Sequence, residues 1–155
     1  MALKRLKISV PHFDNTDLIK SYAMTLVGRC MNPEAQKVDV LLVMLPKIWK
    51  FHFEREEDIK AVLEMQPYHF DYWMLSLARW QPHMPRNFPS EIPFWIKVEG
   101  VPLELWSTAT FQSIGDAIGE TTYVDLDFGK MRVVLDGAKA LCFETEVDFK
   151  GGVFY

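Results

Sequence analysis

Apolar and polar positions recur along this chain in two different periods, and the switches between them mark out its elements. Thr25-Leu-Val-Gly-Arg-Cys-Met31 has the β-branched, apolar character of a buried strand. Asn32 followed by Pro33 is a helix-start signal, because the Asn side chain accepts from free backbone N–H groups and Pro at the first helical position forfeits no hydrogen bond. Val38, Leu41, Leu42 and Leu45 then recur at helical spacing up to Pro46, which predicts an amphipathic helix over 33–45. Lys50-Phe-His-Phe-Glu54 alternates at a period of two, so Phe51 and Phe53 share one face of a strand. Glu56, Glu57 and Asp58 suit the positive end of a second helix, with Ile59, Val62 and Leu63 as its apolar stripe and Pro67 as its limit. Tyr72 to Trp80 follows as a largely buried strand, with Trp73 and Trp80 expected in the core.

Residues 81–93 carry Pro82, Pro85, Pro89 and Pro93, a stiff connection that divides the chain. Beyond it, Ile92, Phe94, Ile96 and Val98 alternate with Pro93, Trp95, Lys97 and Glu99, as in a strand with one buried face. Ser107 or Thr108 caps a helix over 108–118 with the stripe Phe111, Ile114 and Ile118, and Gly119 is placed for a left-handed C-terminal turn. Thr122, Val124 and Leu126 alternate next, Phe128-Gly-Lys130 turns, Met131 to Leu135 returns, and Asp136-Gly137 is a short-hairpin signal. A last strand is expected at Leu141, Phe143, Thr145, Val147 and Phe149, with Cys142, Glu144, Glu146 and Asp148 on its other face. The fold class expected is α+β.

The chain has 155 residues and is 49% hydrophobic, enough apolar area to offset the entropy of ordering it. Its longest apolar run, Val38 to Leu45, is interrupted by Asp39 and falls far short of the roughly 20 residues of a membrane helix. Met1-Ala-Leu-Lys-Arg5 leads into no secretory pattern, so the expected location is intracellular, nuclear or cytoplasmic, with no membrane partner. Cys30 and Cys142 are expected to be reduced, buried thiols. Net charge is −4, but residues 1–55 balance at +4 and residues 56–155 at −8, so a polyanion would prefer the N-terminal part.

Catalytic and metal-site patterns are not visible in the chain. His12, His52, His69 and His83 lack the close Cys/His pairings of a zinc site. Gly115 and Gly119 fall in and at the end of a helix, where they form no phosphate cradle. The acidic group Glu54, Glu56, Glu57 and Asp58 fits a helix start better than a magnesium site. The expectation is a protein that binds rather than catalyses, with no cofactor and no metal. Aromatics are its unusual resource, with eleven Phe, five Tyr and five Trp concentrated between Trp49 and Trp106. Unpaired bases stack on aromatics carried by a sheet. Alternation alone leaves Phe51 and Phe53 open to either role, core or stacking platform.

At Gly28-Arg-Cys-Met-Asn-Pro33, Phe53-Glu-Arg-Glu-Glu-Asp58, Pro67-Tyr-His-Phe-Asp-Tyr-Trp-Met74, Phe88-Pro-Ser-Glu-Ile-Pro-Phe-Trp95, Gly100-Val-Pro-Leu103 and Ser113-Ile-Gly115 the chain resembles a plant retroelement-associated domain of unknown function. That domain stands upstream of a Cys-Cys-His-Cys zinc knuckle in LINE-type non-LTR elements and their host-gene descendants. The resemblance implies an RNA-recognition-like (ferredoxin-like) sheet in residues 20–81, a Pro-rich linker at 82–91, and a β-α-β-meander unit over 92–155 without the knuckle. The family's strand and Gly-rich turn ahead of Phe51 have no counterpart here, so the first sheet is expected to lack one strand. Residues 1–19 form an N-terminal extension in which Leu6 to Val10 is a candidate edge strand. The implied function is weak binding of single-stranded RNA or DNA, with Arg29, Lys37, Lys47 and Lys50 on phosphates and Phe51 and Phe53 under bases. The alternatives are self-association through an open sheet edge, a protein-interaction role, or a truncated relic.

Overall fold

The computed structural model describes residues 6–48, 53–149 and 153–154. Its element order is α1 (Thr16–Ser21), β1 (Leu26–Cys30), α2 (Val38–Ile48), α3 (Glu56–Glu64), β2 (Tyr68–Phe70), β3 (Trp73–Arg79), β4 (Glu91–Lys97), a 3₁₀ turn (Leu103–Leu105), α4 (Thr108–Ile118), β5 (Glu120–Asp125), β6 (Lys130–Asp136), β7 (Asp148–Phe149) and β8 (Val153–Phe154). The class is α+β, with two three-stranded antiparallel sheets ordered β1-β3-β2 and β4-β6-β5. Each sheet takes its strands in the order first, third, second, with helix between the first and second strand.

In the first unit, β3 lies between two neighbours and is buried at Leu75, Ser76 and Leu77. The strand before it, β2, returns through Asp71 and Tyr72, both at positive φ (51° and 66°), a two-residue turn whose twist matches a hairpin. Much of the unit is joined by polar groups. Gln36 is 1% exposed; its Oε1 accepts from the Asn32 backbone N–H at 2.9 Å, and its Nε2 donates to the Phe70 carbonyl at 3.1 Å. Arg79 and Glu56 pair their side chains, Arg79 Nη2 donating to Glu56 Oε2 at 2.7 Å, and this bonding to the guanidinium holds the Glu56 carboxyl below its ordinary range.

The helix expected over 33–45 starts five residues later and runs through Pro46 to Ile48. Asn32 and Pro33 instead open a turn in which the Ala35 and Gln36 N–H groups donate to the Asn32 carbonyl, and Gln36 is drawn toward the β2–β3 hairpin. Pro46 falls within α2 rather than limiting it. Phe53 and Glu54 lie in no strand but lead into α3, whereas Lys50 and Phe51 fall outside the described residues. Leu6 to Val10 forms no edge strand and is exposed. Trp73 is 47% exposed rather than core, and Cys142 is exposed rather than buried. Cys30 is half-buried, and burial pushes its thiol up.

The second unit closes on an apolar core. Phe111 of α4 and Met131 and Val133 of β6 are fully buried, with Trp106, Ile114 and Leu135 packed against them. Ser107 Oγ accepts from the Thr110 N–H at 3.2 Å and fixes the start of α4 at its expected place. Gly119 is extended (φ −176°), not left-handed; a Cβ there would stand 2.3 Å from the Val134 carbonyl oxygen. The strand expected from Leu141 to Phe149 is reduced to Asp148–Phe149, paired with Val153–Phe154. A meander needs a free side on β6, and β4 and β5 occupy both. Polar contacts tie the units together: Ser76 Oγ donates to the Glu91 carbonyl at 2.7 Å, and Arg132 Nη2 donates to the Leu63 and Glu64 carbonyls at 3.3 and 3.4 Å at the end of α3.

Candidate nucleic-acid interface

Strand β4 places Ile92, Phe94 and Ile96 opposite Leu135, Val133 and Met131, the β6 positions that meet α4. Period two therefore sends Trp95 and Lys97 to the opposite, outer face, opposite Arg132 and Lys130. A bulge in β5 between Thr121 and Tyr123 inserts one residue and resets the phase, so Thr121 opposes Val133 while Tyr123 opposes Arg132. The outer face thus carries two rows across the sheet, Trp95–Arg132–Tyr123 and Lys97–Lys130–Asp125.

The rings of this face are open to solvent, with Trp95 45%, Tyr123 58% and Phe128 70% exposed. Trp95 and Tyr123 lean toward each other across β6, ring centroids 5.8 Å apart and planes at 76°. The Lys130 ammonium lies 4.9 Å from the Trp95 centroid and 5.2 Å from that of Phe128, close enough for cation–π attraction to both. Asp125 Oδ2 is 3.8 Å from Lys130 Nζ, and Lys97 pairs with Glu99 at 3.2 Å. Gly129 supplies the positive φ (60°) of the β5–β6 turn, and the Trp106 ring lies so near it that an added Cβ would sit 2.6 Å away. Trp106 is itself fixed by donating Nε1–H to the Leu126 carbonyl at 2.9 Å. Together these contacts hold the turn that presents Phe128 and Lys130.

Of the residues expected from the sequence, the described ones, Arg29, Lys37 and Phe53, lie at separate elements of the first unit. Arg29 is exposed on β1, where its Nη1 donates to the Asn87 carbonyl at 2.6 Å, and Lys37 is exposed just ahead of α2. Lys47 falls in the last turn of α2, and its side chain, like Lys50 and Phe51, lies outside the described residues. Phe53 is half-buried before α3 and is not carried by a strand. Sequence pattern had already put Trp95 and Lys97 on the polar face of β4. Tyr123 was hidden by the bulge, and Phe128 and Lys130 by a turn reading as a simple connection.

Among the described residues no cluster of three or more His, Cys, Asp or Glu could hold a metal ion, and no helix is long and apolar enough to cross a membrane. Comparisons with family models, with curated proteins and with solved structures return no match to the chain, so the resemblance of its segments to the retroelement-associated domain has no counterpart among them.

Proposed function

We propose that this protein acts by binding rather than by catalysis, and that it takes single-stranded RNA or DNA weakly, with little sequence selection, on the outer face of the β4-β6-β5 sheet. The observation that carries this is the exposed row of Trp95 and Tyr123, with the Lys130 ammonium over Trp95 and Phe128. Every base has a π-face, so stacking on such rings is tolerant of sequence and contributes ~1–3 kcal/mol per base. Lys97 and Lys130 stand where a backbone crossing the sheet meets cations, while Asp125 and Glu99 partly offset them, which keeps the affinity low.

Two further observations support it. The order first, third, second is the one the opening three strands of a βαββαβ sheet adopt, and RNA-recognition sheets of that topology stack bases on the face away from their helices. The platform likewise lies on the face opposite α4. The segment resemblance to a retroelement-associated domain points to the same class of ligand, although it led to the first sheet rather than the second.

Fluorescence anisotropy with labelled single-stranded oligonucleotides across a salt series tests the proposal. Binding should appear at low salt, weaken with a shallow slope of about two released counterions, and be no stronger for duplex. Absence of binding at low salt, or tighter binding to duplex, overturns it.

A further inference from the structure

The outer edge of β4 is a second unassigned feature. The Val98 N–H donates to the Gly129 carbonyl, and the Gly137 N–H donates to the Ser90 carbonyl. Both belong to the β4–β6 ladder, so even-numbered residues spend their backbone groups on β6, and those of Glu91, Pro93, Trp95 and Lys97 point away from it. Among the described residues no strand pairs with this side. The Glu91 carbonyl is taken by Ser76 Oγ, and Pro93 has no N–H to leave unpaired, as suits an edge. Trp95 and Lys97 remain as a run that a further strand can extend.

Beside this edge the inner face is not closed. Two cavities of about 670 and 750 Å³ lie between β4 and the segment 139–149, irregular up to β7, floored by Phe94, Ile96, Ile118 and Leu135. Their walls carry Glu91, Glu120 and Asp136 in one and Glu99, Glu144 and Glu146 in the other, against Lys97 and Lys139. An occupant that fits is an extended chain with apolar residues at alternate positions and positive charge.

The chain contains one. Leu6, Ile8 and Val10 alternate with Lys7 and Ser9 and are 84%, 74% and 74% exposed, and in the sequence Lys4 and Arg5 precede them with no acid before Asp14. No residue of this segment lines either cavity of its own chain, so donor and acceptor are free in the same molecule. We infer that Leu6–Val10 of one copy adds as a strand to the β4 edge of a second copy, placing Leu6, Ile8 and Val10 over the Phe94–Ile118 floor and Lys7, on the opposite face by the same alternation, on the side of the edge that carries Glu91. A reciprocal exchange gives a closed two-fold dimer, strand addition supplying affinity and the alternate apolar side chains supplying register.

Light scattering of the full chain over a concentration series, with and without Ile8→Asp, tests this. Ile8 is exposed in the single chain, so that change leaves the monomer fold intact, read as an unchanged thermal midpoint at concentrations where both chains are monomeric. The wild-type chain should pass from monomer to dimer, and Ile8→Asp should weaken the dimer at least roughly tenfold. A synthetic peptide of residues 4–11 should bind the Ile8→Asp chain, and the same peptide with its three basic residues changed to Glu should not. A wild-type chain that stays monomeric, a dimer indifferent to Ile8→Asp, or a monomeric variant that ignores the basic peptide each overturns the inference. None of these outcomes depends on oligonucleotide binding, which uses the outer face.

Discussion

The two units share a strand order yet are held together differently, and that difference explains why the candidate site sits on the second. In the first, the described buried apolar residues are Leu41, Ile59, Leu75 and Leu77, the helix α2 leaves Val40, Leu42 and Val43 exposed, and Gln36 and the Arg79–Glu56 pair add polar ties. In the second, Phe111, Met131 and Val133 are completely excluded from water, and α4 approaches β5 so closely that a Cβ on Gly115 would lie 2.1 Å from Thr121 Oγ1. A sheet closed on one face by such a core can leave Trp95 and Tyr123 on the other without losing its shape.

The two units should separate most sharply when a buried core side chain is removed. Phe111→Ala should cost about 3–5 kcal/mol and unfold the second unit, whereas Gln36→Met should cost about 1–3 kcal/mol through the carbonyls and N–H it leaves unpaired. Urea denaturation measures both, and equal losses would deny that the units differ in kind.

A smaller effect comes from acid. The bonds Glu56 receives from Arg79 lower its folded-state proton affinity relative to the unfolded chain, so its contribution is complete above the ordinary carboxylate range and is lost as pH falls through the depressed folded value. Glu56→Gln should therefore flatten the acid limb of a stability-against-pH curve, while a limb of unchanged slope would remove Glu56 as its cause. Asp116, lowered by the Thr121 N–H it accepts, supplies a parallel limb in the second unit that this variant leaves in place.

Smallest is the turn at Asp71-Tyr72. Tyr72 is 96% exposed and sits at φ 66°, where a side chain costs ~1–2 kcal/mol that glycine avoids, less its own extra entropy on folding. Tyr72→Gly should raise the thermal midpoint slightly, and a fall would show that the ring contributes more than its exposure suggests.

Local chemistry made a good deal of this legible from sequence. The helix over 108–118 forms within its expected bounds because Ser107 caps it, and β1, β3, α3 and β4 follow their apolar periods. What escaped depended on partners distant in the chain. Strand β2 was missed because its turn uses Asp and Tyr where glycine or asparagine signals a hairpin. The alternation of Leu141 to Phe149 is genuine, but the return strand it predicted had to pair beside β6, whose two sides β4 and β5 already occupy. The site shows the same division. Trp95 was legible as the odd aromatic on a polar face, Tyr123 only once the bulge was seen, and of the basic run from Arg29 to Lys50 the described members, Arg29 and Lys37, are exposed at different elements.

The most direct measurement is low-salt anisotropy with a single-stranded oligonucleotide on two double variants, Trp95→Ala with Tyr123→Ala and Arg29→Ala with Lys37→Ala. If the outer face of the second sheet is the binding surface, the first pair weakens binding at least roughly tenfold, from the loss of one or more stacked bases, and the second changes it by less than about threefold. The reverse order, with the Arg29 and Lys37 pair abolishing binding and the aromatic pair leaving it intact, would contradict the account and return the site to the first unit.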